Sequence, residues 1–189
     1  DVRTLTAENL KPVKLLVILR DGMLWPGGAD KPPESWMTPD QERAVVRFVE
    51  EGGGLLALHN CMGLYPDNGP YLHLVGGRYT GHGPLERFAV KVVDTDHPVT
   101  RGVKEFTVAD EQHTPIPDPG AVHILLESRS DEGVVAPAGW VRRVGRGRVC
   151  HLANGHTKDA HAHPEYQKLV VNGARWCLGF DGGESRDGR

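Results

Sequence analysis

A chain of 189 residues with a formal net charge of −3, 39% hydrophobic and 25% charged residues, has the composition of one globular domain with a substantial core. That charge, without any basic block interleaved with aromatics, excludes broad electrostatic attraction to nucleic acid or to anionic lipid. The longest apolar runs, such as LLVIL (Leu15 to Leu19), are too short to span a bilayer, so no membrane partner is expected. Three widely spaced cysteines, Cys61, Cys150 and Cys177, form neither a disulfide framework nor a CxxC zinc pattern. They favour a reducing, cytoplasmic setting, although a cleaved leader would leave no trace.

In chain order, strand and helix signals alternate. Residues Asp1 to Pro12 read as the end of a strand–helix unit whose beginning would precede this sequence. KLLVILRD (Lys14 to Asp21) is a continuous apolar run, as in a strand buried on both faces. A Gly- and Pro-rich loop follows, and Thr38, Pro39 and Gln41 then spell a capped helix start with a capping box. Val45, Val46 and Val49 supply that helix's apolar face, and Gly52 to Gly54 end it before the strand LLALH (Leu55 to His59). Strand, helix, strand implies a right-handed crossover and parallel neighbours.

Further strands are predicted at FAVKVVDT (Phe88 to Thr95), Ala121 to Arg129, Val134 to Val144 and GRVCHLAN (Gly147 to Asn154). The last two are joined by a glycine hairpin at Gly145 to Gly147. A final helix begins at Pro164, carries Tyr166, Leu169, Val170, Gly173, Trp176 and Cys177 along one stripe, and stops at Gly179. The tail, residues 181–189, is polar and glycine-rich, with the composition of a disordered segment. The pattern describes a single α/β domain over residues 1–180: a three-layer, open, mostly parallel sheet flanked by helices, with an antiparallel hairpin near the C-terminus.

In such sheets the site lies beyond the carboxyl ends of the central strands. One strand ends in His59, Asn60 and Cys61, the other in Asn154, Gly155, His156 and Thr157. Two imidazoles and a thiol would therefore share one mouth. Taken alone, His59 could equally cap its strand through a backbone carbonyl. Cys61 stands where a nucleophile elbow would carry its thiol, but His59 replaces the elbow's first glycine, and a small buried filler is the competing reading. DEQH (Asp110 to His113) offers two carboxylates and a histidine, suited to a metal, to acid–base work or to a solvated turn. HAHPE (His161 to Glu165) has an H-x-H spacing at a helix start. GRYTGHGP (Gly77 to Pro84) places Arg78, Tyr79 and His82 on a loop able to approach a sugar ring. No phosphate-binding glycine motif follows a strand, so no nucleotide cofactor is expected.

The succession GGGLLALH, LVGGRYTGH, VVDTDHPVTRGV, DEQH, GRVCHLANGHT and HPEYQKLVVNGARWCLG resembles the ThuA-like, or trehalose-utilisation, family from about Leu5 to Gly179. The resemblance implies a flavodoxin-like fold similar to the class I glutamine amidotransferases and a role in catabolism of disaccharides or their keto forms. In those amidotransferases the nucleophilic cysteine matches Cys61 and the catalytic histidine matches His156. ThuA-like proteins commonly have a small residue at the Cys61 position and keep the histidine matching His59. The acidic partner expected two residues after His156 is Lys158 here, which departs from the amidotransferase triad.

The expectation is a sugar-converting enzyme using His59, Glu111 and His156, either around a divalent metal such as zinc or as metal-free acid and base. Asn60, Arg78, Tyr79, His82, His113 and Thr157 are the expected substrate contacts. Two alternatives stand beside it. One is a thiol hydrolase or amidotransferase acting through Cys61 and His156. The other is a non-catalytic sugar-binding module built on Tyr79, Trp25, Trp36 and Arg78. The expected partner is a small sugar, and the sequence is compatible with a homo-oligomer.

Overall fold

The structure, a computed structural model, describes residues 2–28, 30–66 and 68–181. The tail expected to be disordered lies, beyond Asp181, outside the described residues. After a 3-10 turn at Val2–Thr4 come α1 (Ala7–Leu10), β1 (Leu15–Ile18), a small ribbon of β2 (Met23–Leu24) and β3 (Glu34–Ser35), α2 (Pro39–Glu50) and β4 (Gly54–Leu58). They are followed by α3 (Pro70–Val75), β5 (Gly77–Arg78), β6 (His82–Val92), β7 (Phe106–His113), β8 (Ile116–Pro117), β9 (His123–Ser130), β10 (Val135–Val144) and β11 (Gly147–Leu152). Two helices close the described chain, α4 (Lys158–Ala162) and α5 (Pro164–Cys177).

Seven strands form one sheet in the order β1-β4-β11-β10-β9-β6-β7. β4 pairs in parallel with β1 on one side and with β11 on the other. The ladders from β11 out to β7 are antiparallel, yet β9 and β7 again point with β1, β4 and β11. Five of the seven strands thus share one direction, and β10 and β6 run against them. The antiparallel part extends beyond the single expected hairpin because β9, β10 and β11 are linked by tight turns. A parallel pair would need a crossover of a dozen residues or more.

Every residue of β4 is buried, and alternation splits them between two cores. Leu56 and Leu58 pack with Phe88, Val108, Leu152 and with Tyr166, Leu169 and Trp176 of α5. Leu55 and Ala57 face the other way, onto Val45 and Val49 of α2 and Tyr71 and Val75 of α3. These are the three layers of the expected α/β sandwich. The expected capping box is present, with the Thr38 side chain accepting from the Gln41 N–H and the Gln41 side chain accepting from the Thr38 N–H. Among the described residues no helix is long and apolar enough to cross a membrane.

Candidate functional site

At the end of β4 the backbone turns sharply. His59 takes φ +46°, one of three non-glycine residues with positive φ among those described, the others being Leu64 and Asn68. Such a conformation at a strand end lifts the side chain above the sheet edge. The His59 ring is held by Nδ1, 3.1 Å from the Ala153 carbonyl oxygen. Because a carbonyl only accepts, this contact puts the proton on Nδ1 and leaves the Nε2 lone pair free. The strand-capping reading of His59 therefore describes one nitrogen, and the other points to Glu111, 3.7 Å from its Oε2.

Glu111 belongs to β7, which continues through DEQH; the solvated-turn reading of that motif is corrected, since Asp110, Gln112 and His113 are buried. Strand alternation puts Glu111 and His113 on one face and Asp110 and Gln112 on the other. The β6–β7 ladder sets His82 directly opposite His113. Four imidazoles consequently surround one carboxylate oxygen. Glu111 Oε2 lies 3.1 Å from His156 Nδ1, 3.7 Å from His59 Nε2, 3.8 Å from His113 Nε2 and 3.9 Å from His82 Nδ1.

The rings form a continuous wall: His113 lies 4.2 Å from His59, 5.0 Å from Tyr79 and 5.6 Å from His82, centroid to centroid. Burial falls from His59 and His113 through Glu111 to the largely exposed His156, so the cluster opens outward on the His156 side. Burial lowers the pKa of His59, and it drives that of His113 down to about 2 with help from the neighbouring histidines, chiefly His59. Burial, and then the Glu111 charge, pushes the Tyr79 hydroxyl up.

His59, Glu111 and His156 each offer one ligand atom, and these atoms all lie within 4.8 Å of one another. Donors around a tetrahedral zinc stand roughly 3.4 Å apart, given Zn–N and Zn–O bonds of about 2.1 Å. The 3.1 Å and 3.7 Å separations to Glu111 bracket that spacing. The backbone carbonyl on His59 Nδ1 is the usual outer support of a metal-binding imidazole.

The other expected contacts divide. Tyr79, His82 and His113 stand beside the trio. Asn60 turns aside, its Nδ2 3.4 Å from Asp21 Oδ2. Arg78 is exposed on β5, opposite Ile116. The Thr157 hydroxyl donates to Ala109 O at 2.7 Å and accepts from the Ala160 N–H as the N-cap of α4, so it holds a turn. His161 and His163 are committed to the backbone as well, His161 at Gly155 O and His163 as the N-cap of α5.

Cys61 requires a correction. Its side chain is fully buried in the core beneath α2 and α3, and burial pushes the thiol well above its ordinary range. The imidazole on its Sγ, at 3.4 Å, is His151, so the Cys61–His156 pair implied by the amidotransferases is not assembled. The strained elbow position belongs to His59 instead. Cys150 and Cys177 are also free and buried. Iodoacetamide is therefore expected to leave the native protein unlabelled and to modify three thiols after denaturation. Fast labelling of native Cys61, read by peptide mass spectrometry, would restore the thiol mechanism.

A separate cleft of about 630 Å³, lined by Val2, Leu5, Trp36, Gln41 and Ala44 among others, contains none of the histidines, so chemistry and not volume selects the strand-end cluster. The trehalose-utilisation (ThuA) family profile matches residues 1–177. The chain belongs to the ThuA family. A ThuA-like protein from Bacteroides uniformis is 22% identical with a TM-score of 0.73, over 96% of this chain and 76% of its own. A ThuA-like protein from Parabacteroides merdae is 17% identical with a TM-score of 0.72, over 93% and 74%. A cold-adapted β-galactosidase from Rahnella sp. R3 superposes on 86% of this chain at TM-score 0.60 and 14% identity, through 22% of its own length. At these identities the likeness is one of fold. No match is found among curated protein sequences.

In this ThuA protein, one residue that site selection by motif passed over is Asp110. Its carboxylate is buried and accepts from the N–H groups of Gly155 at 2.7 Å and of His156 and Thr157 at 3.0 Å each. The available signal was parity: Asp110 falls two residues after Val108 and four after Phe106, an acid at an apolar position, which demands donors.

Proposed function

We propose that this trehalose-utilisation protein is an enzyme of carbohydrate catabolism acting on a disaccharide or its keto form, with His59, Glu111 and His156 holding a divalent metal, zinc or a similar ion. The observation that carries the reading is the meeting of Glu111 Oε2 with His156 Nδ1 at 3.1 Å and His59 Nε2 at 3.7 Å. The three residues come from elements far apart in sequence. A bound divalent ion would supply a Lewis acid at a sugar oxygen, with ligand positions left over for water and substrate.

The chain's own groups do the rest. Burial favours the neutral form of His59, and the hydrogen bond to Ala153 O keeps the proton on Nδ1, so Nε2 is available either as a ligand or as a base. Tyr79 and His82, the less buried rings of the wall, offer the surface against which a pyranose would lie, with the buried His113 behind them. His156, on the open side, is the member of the trio nearest bulk water.

Elemental analysis of purified protein, followed by zinc titration of chelator-treated protein, tests the proposal. One tightly held equivalent, lost with Glu111→Gln, is the expected result. No binding, together with full turnover of a keto-disaccharide in chelator, would remove the metal and leave the trio as acid and base.

A further inference from the structure

We propose that Asp110 is the positioning residue of this site: its buried carboxylate fixes the backbone of the segment that delivers His156 to Glu111. The functional weight of the inference rests on the metal reading above; its structural part does not.

A carboxylate without exposed surface is costly unless hydrogen bonds replace its water. Asp110 meets that requirement with three consecutive main-chain donors. Oδ2 accepts from Gly155 at 2.7 Å, and Oδ1 accepts from both His156 and Thr157 at 3.0 Å. Three successive N–H groups converge on one point because Gly155 adopts φ +119° before the chain enters α4. They form a concavity of the kind that elsewhere binds anions, filled here by the protein's own side chain.

The next residue along β7 is Glu111, whose side chain leaves by the opposite face and meets the His156 ring at 3.1 Å. Two neighbouring residues of one strand thus hold the same histidine twice, Asp110 by its backbone and Glu111 by its ring. The His156 side chain is 48% exposed, so packing does little to orient it. Its alignment with Glu111 depends on where the backbone starts. The Thr157 hydroxyl on Ala109 O ties the same segment to the same strand. His59 is independent of this arrangement, since its ring is set by Ala153 O and by the turn after β4.

Asp110→Asn keeps the size but replaces one acceptor oxygen by a donor that faces the N–H groups. Two measurements on the intact chain test the proposal. The first is amide exchange by NMR. In the metal-free wild type, the amides of Gly155, His156 and Thr157 should be protected; in Asp110→Asn they should exchange at least ~10-fold faster while β4 amides stay unchanged. The second is zinc affinity by chelator competition, expected to fall by about 10–100-fold, the usual effect of losing an outer support. Sodium formate should restore much of that loss in Asp110→Ala by occupying the vacated acceptor position.

Free exchange of those three amides in the wild type would overturn the inference without any variant, which decides it even if the variants do not fold. Wild-type zinc affinity in a folded Asp110→Asn would overturn it too. A wild type that binds no zinc but protects the three amides would sink the metal reading alone and leave the anchoring role of Asp110 in place.

Discussion

Replacing His59 by asparagine is expected to abolish one-equivalent zinc binding and to lower turnover by about 10²–10⁴-fold, the range for removing a positioned acid–base group. Stability should hardly change. Asparagine tolerates the positive φ that His59 adopts, so the backbone turn after β4 survives. The loss is one hydrogen bond, from Nδ1 to Ala153 O, worth about 1 kcal/mol. For a domain of this size that corresponds to roughly 2–4 °C in melting temperature. His156→Ala should show the same division more sharply, because its side chain is half-exposed and contributes little packing. A large fall in melting temperature with zinc binding intact would make His59 a structural cap and nothing more.

Acid should unfold the metal-free protein early. His151 has no exposed surface, lies with its ring 4.2 Å from that of Trp140, and is driven by burial to a pKa of about 3. His113 is driven to about 2, and His59 is lowered by the same cause. In the unfolded chain each would titrate near 6.5. Below that value the unfolded state therefore binds protons that the folded state refuses. The stability these neutral imidazoles contribute is complete above about pH 6.5 and is lost as pH falls.

Each such histidine contributes a slope of about 1.4 kcal/mol per pH unit. His113 and His151 together would remove roughly 5 kcal/mol between pH 6.5 and 4.5, comparable with the lower end of a domain's whole stability. Urea midpoints measured in chelator across that interval should fall steeply, and His151→Leu should remove about one proton's share of the slope. A midpoint independent of pH from 6.5 to 5 would mean that these rings are not buried in neutral form.

Much of this protein could be read from local signals. The Thr38–Gln41 box, the Gly145 to Gly147 hairpin and the final helix with its Gly179 stop are each written within a few residues, and each appears as read; the strand expected at Leu55 to His59 appears as β4, Gly54–Leu58. The strand-end rule was enough to bring His59 and His156 to one place, 5.3 Å between ring centroids, because parallel neighbours release their chains at the same edge. The likeness to the trehalose-utilisation family rested on the order of several short motifs from about Leu5 to Gly179, and the family match covers residues 1–177.

Sequence by itself thus determined the α/β alternation, the family and the edge of the sheet where histidines gather, since these follow from periodicity, caps and strand direction. Only the tertiary structure decided which side chains enter the cluster. Parity along β7 separates Asp110 from Glu111, but that Asp110 takes the His156 N–H while Glu111 meets its ring depends on where the segment after β11 lies against β7. That His82 joins the cluster depends on the β6–β7 register. That Cys61 drops into the core beside His151, while His59 takes the positive-φ turn and reaches the cluster, is settled by packing between residues some ninety positions apart. Local sequence carries the period of burial; the partner that buries each residue exists only once the sheet has closed on its helices.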